Sequence, residues 1–448
     1  MKRSDFGEDF LWGVASASFQ IEGSPKADGK RPSIWDEMAR TGRVPGEGAD
    51  QGIQFYERWE EELELIASLG FKANRISLSW PRLLGDGRGP WNPKGADFYH
   101  RVIDRTLELG MEPWVTVHHW DMPLALWNDG AWARRGIIED FAAFADRCAA
   151  EFGDTVDNWM VFNEPASVAA FGLVGLFGRK GLHLDQTVRS IHHMNLACAE
   201  AGRRMRETLP DTATIGTTNV MSVTHPYGPT DERTARRKRA VEALTTDIFL
   251  DPAGGLGYPF EASRLVRRFE KHIMDGDLEA ATFRYDFMGV QYYGPTVAFR
   301  DVPLLGPLPS RNVPDAEVQI RSDVGIAQDP DGLLWTLRKY ANHPSADRMI
   351  ITEGGFGCQD RLEGDRVRDD VRIWIYRKHL EAVLAAKAEG LPVDGYMAWS
   401  YADNIEWFMG RRPRFGLVYV EYDDDFRRIP KDSARWFQKL LTDPDGVD

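Results

Sequence analysis

Eight short apolar runs, each closed by polar or aromatic residues, constrain this chain more than any other feature of it. They cover 10–16, 73–78, 112–117, 158–163, 213–220, 287–293, 349–354 and 395–400. Runs of this length bounded in this way read as strands. Between several of them lie helical patterns. Segment 55–69 puts Phe55, Trp59, Leu63 and Ile66 on one face and stops at Gly70. Segment 369–389 does the same with Ile373, Tyr376, Leu380 and Val383, and stops at Gly390 with Pro392 beyond. Glycine after the last turn, then proline, is a helix stop signal. Eight strands alternating with helices predict an α/β fold, a (β/α)8 barrel, with residues 1–448 forming one domain with long βα loops. A doubly wound open sheet would carry a glycine-rich dinucleotide turn after its first strand. Gly13 and Gly23 flank Gln20 without that spacing. Residues 301–332, rich in proline and polar residues, read as a long loop between the sixth and seventh strands.

Charge and cysteine content narrow the setting. The net charge is −14, and a diffuse acidic surface repels phosphate backbones, so no nucleic-acid partner is expected. The basic run Arg233–Arg239 reads as a solvated helix face. Cys148, Cys198 and Cys358 are few, odd in number and lack metal-ligand spacing, which fits a reducing, cytoplasmic setting. The basic residues near Met1 have no apolar stretch behind them, so no signal peptide is read there. No apolar run approaches the ~20 residues of a membrane span.

The residues at the end of each strand carry the chemistry. The third strand ends in His118-His119-Trp120-Asp121 and the fourth in Asn163-Glu164-Pro165. The sixth ends in Gln291-Tyr292-Tyr293 and the seventh in Thr352-Glu353-Gly354-Gly355. After the eighth come Trp399-Ser400 and Asp403-Asn404-Ile405-Glu406-Trp407. In a barrel these strand ends converge on one mouth. Carboxylates, amides and indoles gathered there suit a sugar, whose hydroxyls need polar partners and whose C–H faces need aromatic cover. Cleaving a glycosidic bond needs two carboxyl groups, one protonated to help the leaving oxygen and one ionised to attack or to activate water. A strand-end glutamate without context is more often half of a structural ion pair, so the pattern as a whole has to carry this reading.

The whole pattern resembles glycoside hydrolase family 1, the β-glucosidase and β-galactosidase family, from Phe10 to about Phe437. The resemblance rests on Phe10-Leu11-Trp12-Gly13 through Gln20-Ile21-Glu22-Gly23, Arg75-Ile76-Ser77 with Trp80, and His119-Trp120-Asp121 with Pro123. It rests equally on Asn163-Glu164-Pro165, Asp403-Asn404 with Glu406-Trp407, and Arg414-Phe415-Gly416. It implies a retaining exo-β-glycosidase acting on β-D-glucosides, β-D-galactosides or β-D-fucosides. Glu164 matches the family's acid/base and Glu353 its nucleophile, with Arg75 and Tyr293 bonded to the nucleophile. Gln20, His119, Asn163, Glu406 and Trp407 match residues that hold the sugar hydroxyls. Trp399 matches the indole beneath the sugar, and Trp120 and Phe415 the aromatic walls. Arg75 is expected to depress the pKa of Glu353, and Glu164 to carry a raised one. Carboxyl groups cover the proton transfers and the covalent step, so no metal or organic cofactor is expected, and the partner is a small β-glycoside or oligosaccharide.

Three positions depart from the family. Gln291 stands where Asn is usual, so its amide must sit differently. Gly354 replaces the Asn after the nucleophile and frees the backbone there. Ile326 replaces a Trp that stacks on the leaving-group side, and Phe356 or Trp335 is expected to compensate. Three other functions remain in view. A transglycosylase would use the same intermediate, and products formed with an added acceptor separate it. A 6-phospho-β-glycosidase would carry a Ser, Lys and Tyr set at Glu406-Trp407. A non-catalytic sugar-binding barrel would lack one or both carboxylates, and both are present.

Overall fold

The computed structural model of the chain describes every residue except 47, 174–182, 222–223, 225–230, 295–297, 303–305, 311–319 and 448. Eight parallel strands close into a barrel in chain order. They are β1 (Leu11–Ala15), β2 (Ala73–Ser77), β3 (Glu112–His118), β4 (Asn158–Asn163), β5 (Thr214–Val220), β6 (Tyr285–Tyr292), β7 (Ala346–Gly354) and β8 (Val393–Trp399). β1 bonds to β2 on one side and to β8 on the other, which closes the ring. All eight expected strands are present. β6, β7 and β8 begin earlier than their apolar runs, because their first residues in the sheet include polar ones: Asp286, Asp347 with Arg348, and Asp394.

The helices stand outside the ring. α1 (Phe55–Ser68) buries Phe55, Trp59, Leu63 and Ile66 as its periodicity requires, and Gly70 lies just beyond it with φ +88°. α2 (Pro165–Leu173) starts immediately after β4 and Glu164. α3 (Asp370–Ala388) buries a face offset from the expected one: Arg372, Ile375, Tyr376, His379, Leu380 and Val383, while Ile373 is only half-buried. Two polar residues, Arg372 and His379, sit on that buried face, and hydropathy alone points away from them. The basic run lies on the helix Glu232–Glu242, where Arg236 pairs with Glu232 in solvent. The segment 301–332, read as a loop between β6 and β7, contains regular structure, while its residues 303–305 and 311–319 lie outside the described ones. Ala298–Val302 and Gly306–Ser310 form an antiparallel ribbon. Pro307 and Pro309 obscure it in the sequence, yet a two-stranded ribbon has free edges where proline is tolerated. All three cysteines are free. Among the described residues no helix is long and apolar enough to cross a membrane.

The loops after β7 and β8 are tied together by a buried ionic chain. Asp403 accepts from Lys431 Nζ at 2.6 Å, from Arg414 Nη1 at 2.7 Å and from the Gly416 amide at 3.0 Å. Lys431 also binds Asp360, which accepts from Arg372 Nη2 at 2.8 Å. Arg372 in turn pairs with Asp369. Three cations face three carboxylates. Burial pushes the Asp360 carboxyl up, but Lys431 and Arg372 outweigh that and hold it at about 2. Gly416 is required in this chain, since a Cβ there would lie 2.0 Å from the Asp403 amide nitrogen. The motif residues Asp403, Arg414 and Gly416 are thus structural, and they fix the segment that carries Glu406, Trp407 and Phe415.

Removing one cation from a buried chain leaves its carboxylates uncompensated, a loss of roughly 3–5 kcal/mol. Lys431 is fully buried. The variant Lys431→Met is therefore expected to have a lower denaturant midpoint and to lose about that much unfolding free energy. An unchanged midpoint would show that the chain does not hold these loops.

Candidate active site

The floor of the barrel mouth is built around one guanidinium. Arg75, on β2 and fully buried, donates from Nη1 to Glu353 Oε1 at 2.5 Å and from Nη2 to Asn163 Oδ1 at 2.6 Å. Its Nε donates to Thr116 Oγ1 at 3.0 Å. Strand register sets these meetings. Gln291 on β6 lies level with Glu353 on β7, and Arg75 on β2 lies level with Trp114 on β3. Tyr293, just past β6, donates its hydroxyl to Glu353 Oε2 at 2.6 Å.

The amide orientations are dictated by Arg75, which can only donate. Asn163 Oδ1 accepts from Arg75 and also from Gln291 Nε2 at 2.7 Å, so Asn163 presents its NH2 to His119 Nε2 at 2.9 Å. His119 Nε2 must then accept, which places the imidazole proton on Nδ1. Burial, reinforced by Arg75 and His118, holds the His119 pKa well below its ordinary value, so the ring is neutral. Nδ1 has no partner among the described residues.

Glu353 departs from expectation in one respect. Arg75, Tyr293 and Gln291 all favour its anion, yet burial outweighs them and its pKa lies above the ordinary carboxylate value. The ion pair forms as expected, while the net shift has the opposite sign, because the site is dry.

Glu164 comes directly after β4 with φ +45°, a conformation that costs a non-glycine residue about 1–2 kcal/mol. Trp120, after β3, also has positive φ, +74°. Such strain concentrates at functional sites. Ser167, one turn into α2, donates to Glu164 Oε2 at 2.6 Å.

Glu164 and Glu353 line one cavity of about 250 Å³. His119, Trp120, Asn163, Tyr293, Trp399, Glu406, Trp407 and Phe415 share it. Ten of the twelve expected site residues therefore meet there. The other two lie just outside it. Arg75 is beneath the floor. Gln20 is fully buried and gives its amide to Asn404 Oδ1 at 3.1 Å and to the Ile405 carbonyl at 2.8 Å, supporting the segment before Glu406. The aromatic wall is continuous. Trp407 has Trp120 at 4.6 Å and Trp35 at 4.5 Å, and His119 lies near-parallel to Trp399 at 5.8 Å. Glu406 has its pKa pushed up to about 8 by burial and by the charges of Glu353 and Glu164.

Sequence reasoning misses several members. Ser167 is readable as the third residue after Glu164 on the helix that Pro165 opens. Trp35 and Phe19 back Trp407 from behind, and no motif flags them. The expected stand-ins for the missing Trp, Phe356 and Trp335, do not line the cavity. Phe171, Val220, Val324, Ile326, Phe408 and Met409 do. Gly354 has a local cause: a Cβ there would come 2.3 Å from the Tyr396 hydroxyl, which bonds His379 at 3.1 Å. The room for an Asn is filled by a tyrosine from β8. Among the described residues no cluster of His, Cys, Asp and Glu could hold a metal ion.

A family model described as glycosyl hydrolase family 1 matches residues 2–445. The β-glucosidase A of Thermotoga maritima is 37% identical over 98% of both chains. The β-glucosidase of an Agrobacterium species is 35% identical over 98% of this chain and 95% of its own. A 6-phospho-β-galactosidase of Clostridium acetobutylicum is 33% identical over 99% and 98%. The solved structure of the Thermotoga maritima β-glucosidase in complex with glucoimidazole superposes with a TM-score of 0.90 at 36% identity, covering 98% of this chain and 99% of that one.

The raised pKa of Glu406 has a measurable sign. A carboxyl raised from 4.5 to about 8 on folding contributes stability that is complete below pH 4.5 and lost as pH rises through about 8. Glu406→Gln has no such loss. Its melting temperature relative to the unaltered protein should climb as pH rises from ~5 to ~8.5. A difference that stays constant across that range would show that Glu406 is already ionised at the acid end.

Proposed function

Because the chain belongs to glycosyl hydrolase family 1, and so is an O-glycosyl hydrolase similar to β-glucosidases, we propose that it is an exo-acting, retaining β-glycosidase. Its substrates are β-D-glucosides, with β-D-galactosides and β-D-fucosides as further candidates. One observation carries the reading: two glutamates line the same small cavity, and Glu353 is gripped there by a guanidinium and a phenol while Ser167 donates to Glu164. That asymmetry divides their labour. Glu353 is oriented by these two donors, which favour its anion against the cost of burial, and as the anion it attacks the anomeric carbon. Glu164 gives its proton to the glycosidic oxygen as the C–O bond breaks. The covalent glycosyl ester consumes the charge of Glu353. Glu164, now ionised, takes a proton from water, which attacks the same carbon and releases the sugar.

The floor groups support a single nonreducing-end sugar. About 250 Å³ lies near the lower limit of small-molecule sites, ~300 Å³. His119 Nδ1–H, the Asn163 amide and Glu406 offer polar contacts, with Trp399 beneath the ring. Gln20 holds the segment of Glu406 through Nε2 and keeps Oε1, without a partner among the described residues, for a sugar hydroxyl. The free cysteines fit a cytoplasmic setting.

NMR of early product tests the stereochemistry: a β-glucoside should yield the β-anomer first, and a first-formed α-anomer would sink the double-displacement reading. Two variants test the roles. With Glu353→Ala, hydrolysis should vanish and azide should give the α-glycosyl azide. With Glu164→Ala, aryl glucosides should still form the intermediate and azide should give the β-glycosyl azide. Swapped configurations would mean that the roles are reversed.

The cavity also bears on phosphorylated substrates. No Lys or Arg is among its described lining residues to pair with a 6-phosphate, and Glu406 adds repulsion once pH passes its pKa of about 8. An aryl β-glucoside should be cleaved at least ~10-fold faster, in kcat/KM, than its 6-phosphate, since a buried charge without a partner is strongly disfavoured. The opposite preference would overturn the assignment of Glu406.

A further inference from the structure

The cavity changes character from floor to rim. Its polar groups, Glu353, Asn163, His119 and Glu164, are buried at the bottom. Toward solvent the described lining is Phe171, Val220, Val324, Ile326 and Phe408, all half-buried, and Met409, 39% exposed. None of these side chains can donate a hydrogen bond, and none carries an oxygen or nitrogen to accept one. The half-buried polar side chains beside them are engaged elsewhere: Ser167 donates to Glu164, Tyr293 donates to Glu353, and Glu406 is assigned above to the nonreducing-end sugar.

This rim is where a leaving group must pass. Glu164 protonates the departing oxygen, and Phe171 lies one helical turn beyond Ser167 on α2. The Phe171 ring meets Phe408 edge-on at 4.8 Å, and Met409 continues from it. Across the reacting pair, Gly294 comes after Tyr293, the residue bonded to Glu353. Ile326 Cγ2 stands 2.9 Å from where a Gly294 Cβ would be. Ile326 therefore packs against the segment that holds the nucleophile's partner, with Val324 two residues before it.

Resting on the function proposed above, we infer that the aglycone subsite selects an apolar alcohol or phenol and not a second sugar. The substrate class is β-glucosides of alkyl or aryl aglycones. The energetics favour this choice. Each methylene moved from water onto such a surface is worth about fourfold in binding. A sugar ring in the same place would lose water from its hydroxyls without regaining partners from the described apolar side chains, which costs binding at each one.

The test compares kcat/KM for methyl, hexyl and octyl β-D-glucoside and cellobiose. The three alkoxide leaving groups are chemically alike, and the sugar of cellobiose is a better leaving group than any of them. A preference for the long alkyl chain therefore reports binding and not leaving ability. The expected result is a rise of at least ~10-fold from methyl to octyl, with cellobiose no better than the methyl glucoside. In Ile326→Ser and in Met409→Ser the octyl-to-methyl ratio should fall at least about fourfold. A ratio is insensitive to the fraction of folded enzyme, and both residues are partly exposed. Cellobiose cleaved as well as the octyl glucoside, or ratios unchanged in both variants, would overturn the inference while leaving the glycosidase reading intact. No turnover of any of these substrates or of 4-nitrophenyl β-glucoside would instead strike the proposed function and remove this inference with it.

Discussion

A single obligate donor, the Arg75 guanidinium, determines the floor of this site. It cannot accept a hydrogen bond and does not lose its charge. Whatever faces it must present oxygen. Glu353 does so with a carboxylate and Asn163 with its amide oxygen. The Asn163 NH2 is then forced toward His119, and this sets the tautomer of His119. Gln291 enters the same logic from β6 by donating to the same amide oxygen. A methylene longer than the usual Asn, it still reaches the centre of the floor from a strand register level with Glu353. One buried cation thus orders two amides, an imidazole and a carboxylate before any sugar arrives, which is the preorganisation that electrostatic catalysis requires.

The barrel holds this floor and a second ionic system holds the walls. Asp403, Arg414, Lys431, Asp360, Arg372 and Asp369 form a balanced chain with no sugar-facing member. It spans the loops after β7 and β8 and the C-terminal segment. Glu406 and Trp407 are carried between its anchor points at Asp403 and Arg414, and Phe415 sits next to the second of them. Their sequence motif therefore mixes two kinds of residue, some that face the cavity and some that hold the others in place. Glu22 behaves like the second kind: its carboxylate takes Arg82 Nε at 2.9 Å and the Tyr99 hydroxyl at 2.5 Å, away from the cavity.

The strands are legible because each is an apolar run too short for a helix, and polar first residues hide where β6, β7 and β8 begin. The ribbon at 298–302 and 306–310 is not legible, since Pro307 and Pro309 argue against a strand anywhere but at an edge. The buried face of α3 differs from its apolar periodicity because Arg372 and His379 are buried with partners, and periodicity counts only apolar residues. At the site, residue identities are legible from their order at successive strand ends, while electrostatic balance is not. Whether Arg75 or desolvation prevails at Glu353 depends on how dry the floor is, which no local motif encodes. The expectation that Phe356 or Trp335 replaces the absent indole fails for a related reason. The rim is assembled from α2, the segment before Gln328, and Phe408-Met409, which are distant in sequence and meet only in the closed barrel.

The contrast between a polar floor and an apolar rim bears on both halves of the proposed reaction. The acceptor that attacks the glycosyl intermediate approaches along the path by which the leaving group departed, with Glu164 acting in the reverse sense. A surface that binds apolar aglycones consequently binds apolar alcohols at the second step, and it offers sugars little at either. Water needs no rim contact: it is small, abundant and requires only Glu164. Hydrolysis is then the default outcome, and transfer to an alcohol competes in proportion to how well that alcohol covers Phe171, Ile326 and Met409. Aglycone preference and acceptor preference are therefore one property of this rim, set by the side chains that replace a stacked indole with branched and flexible ones.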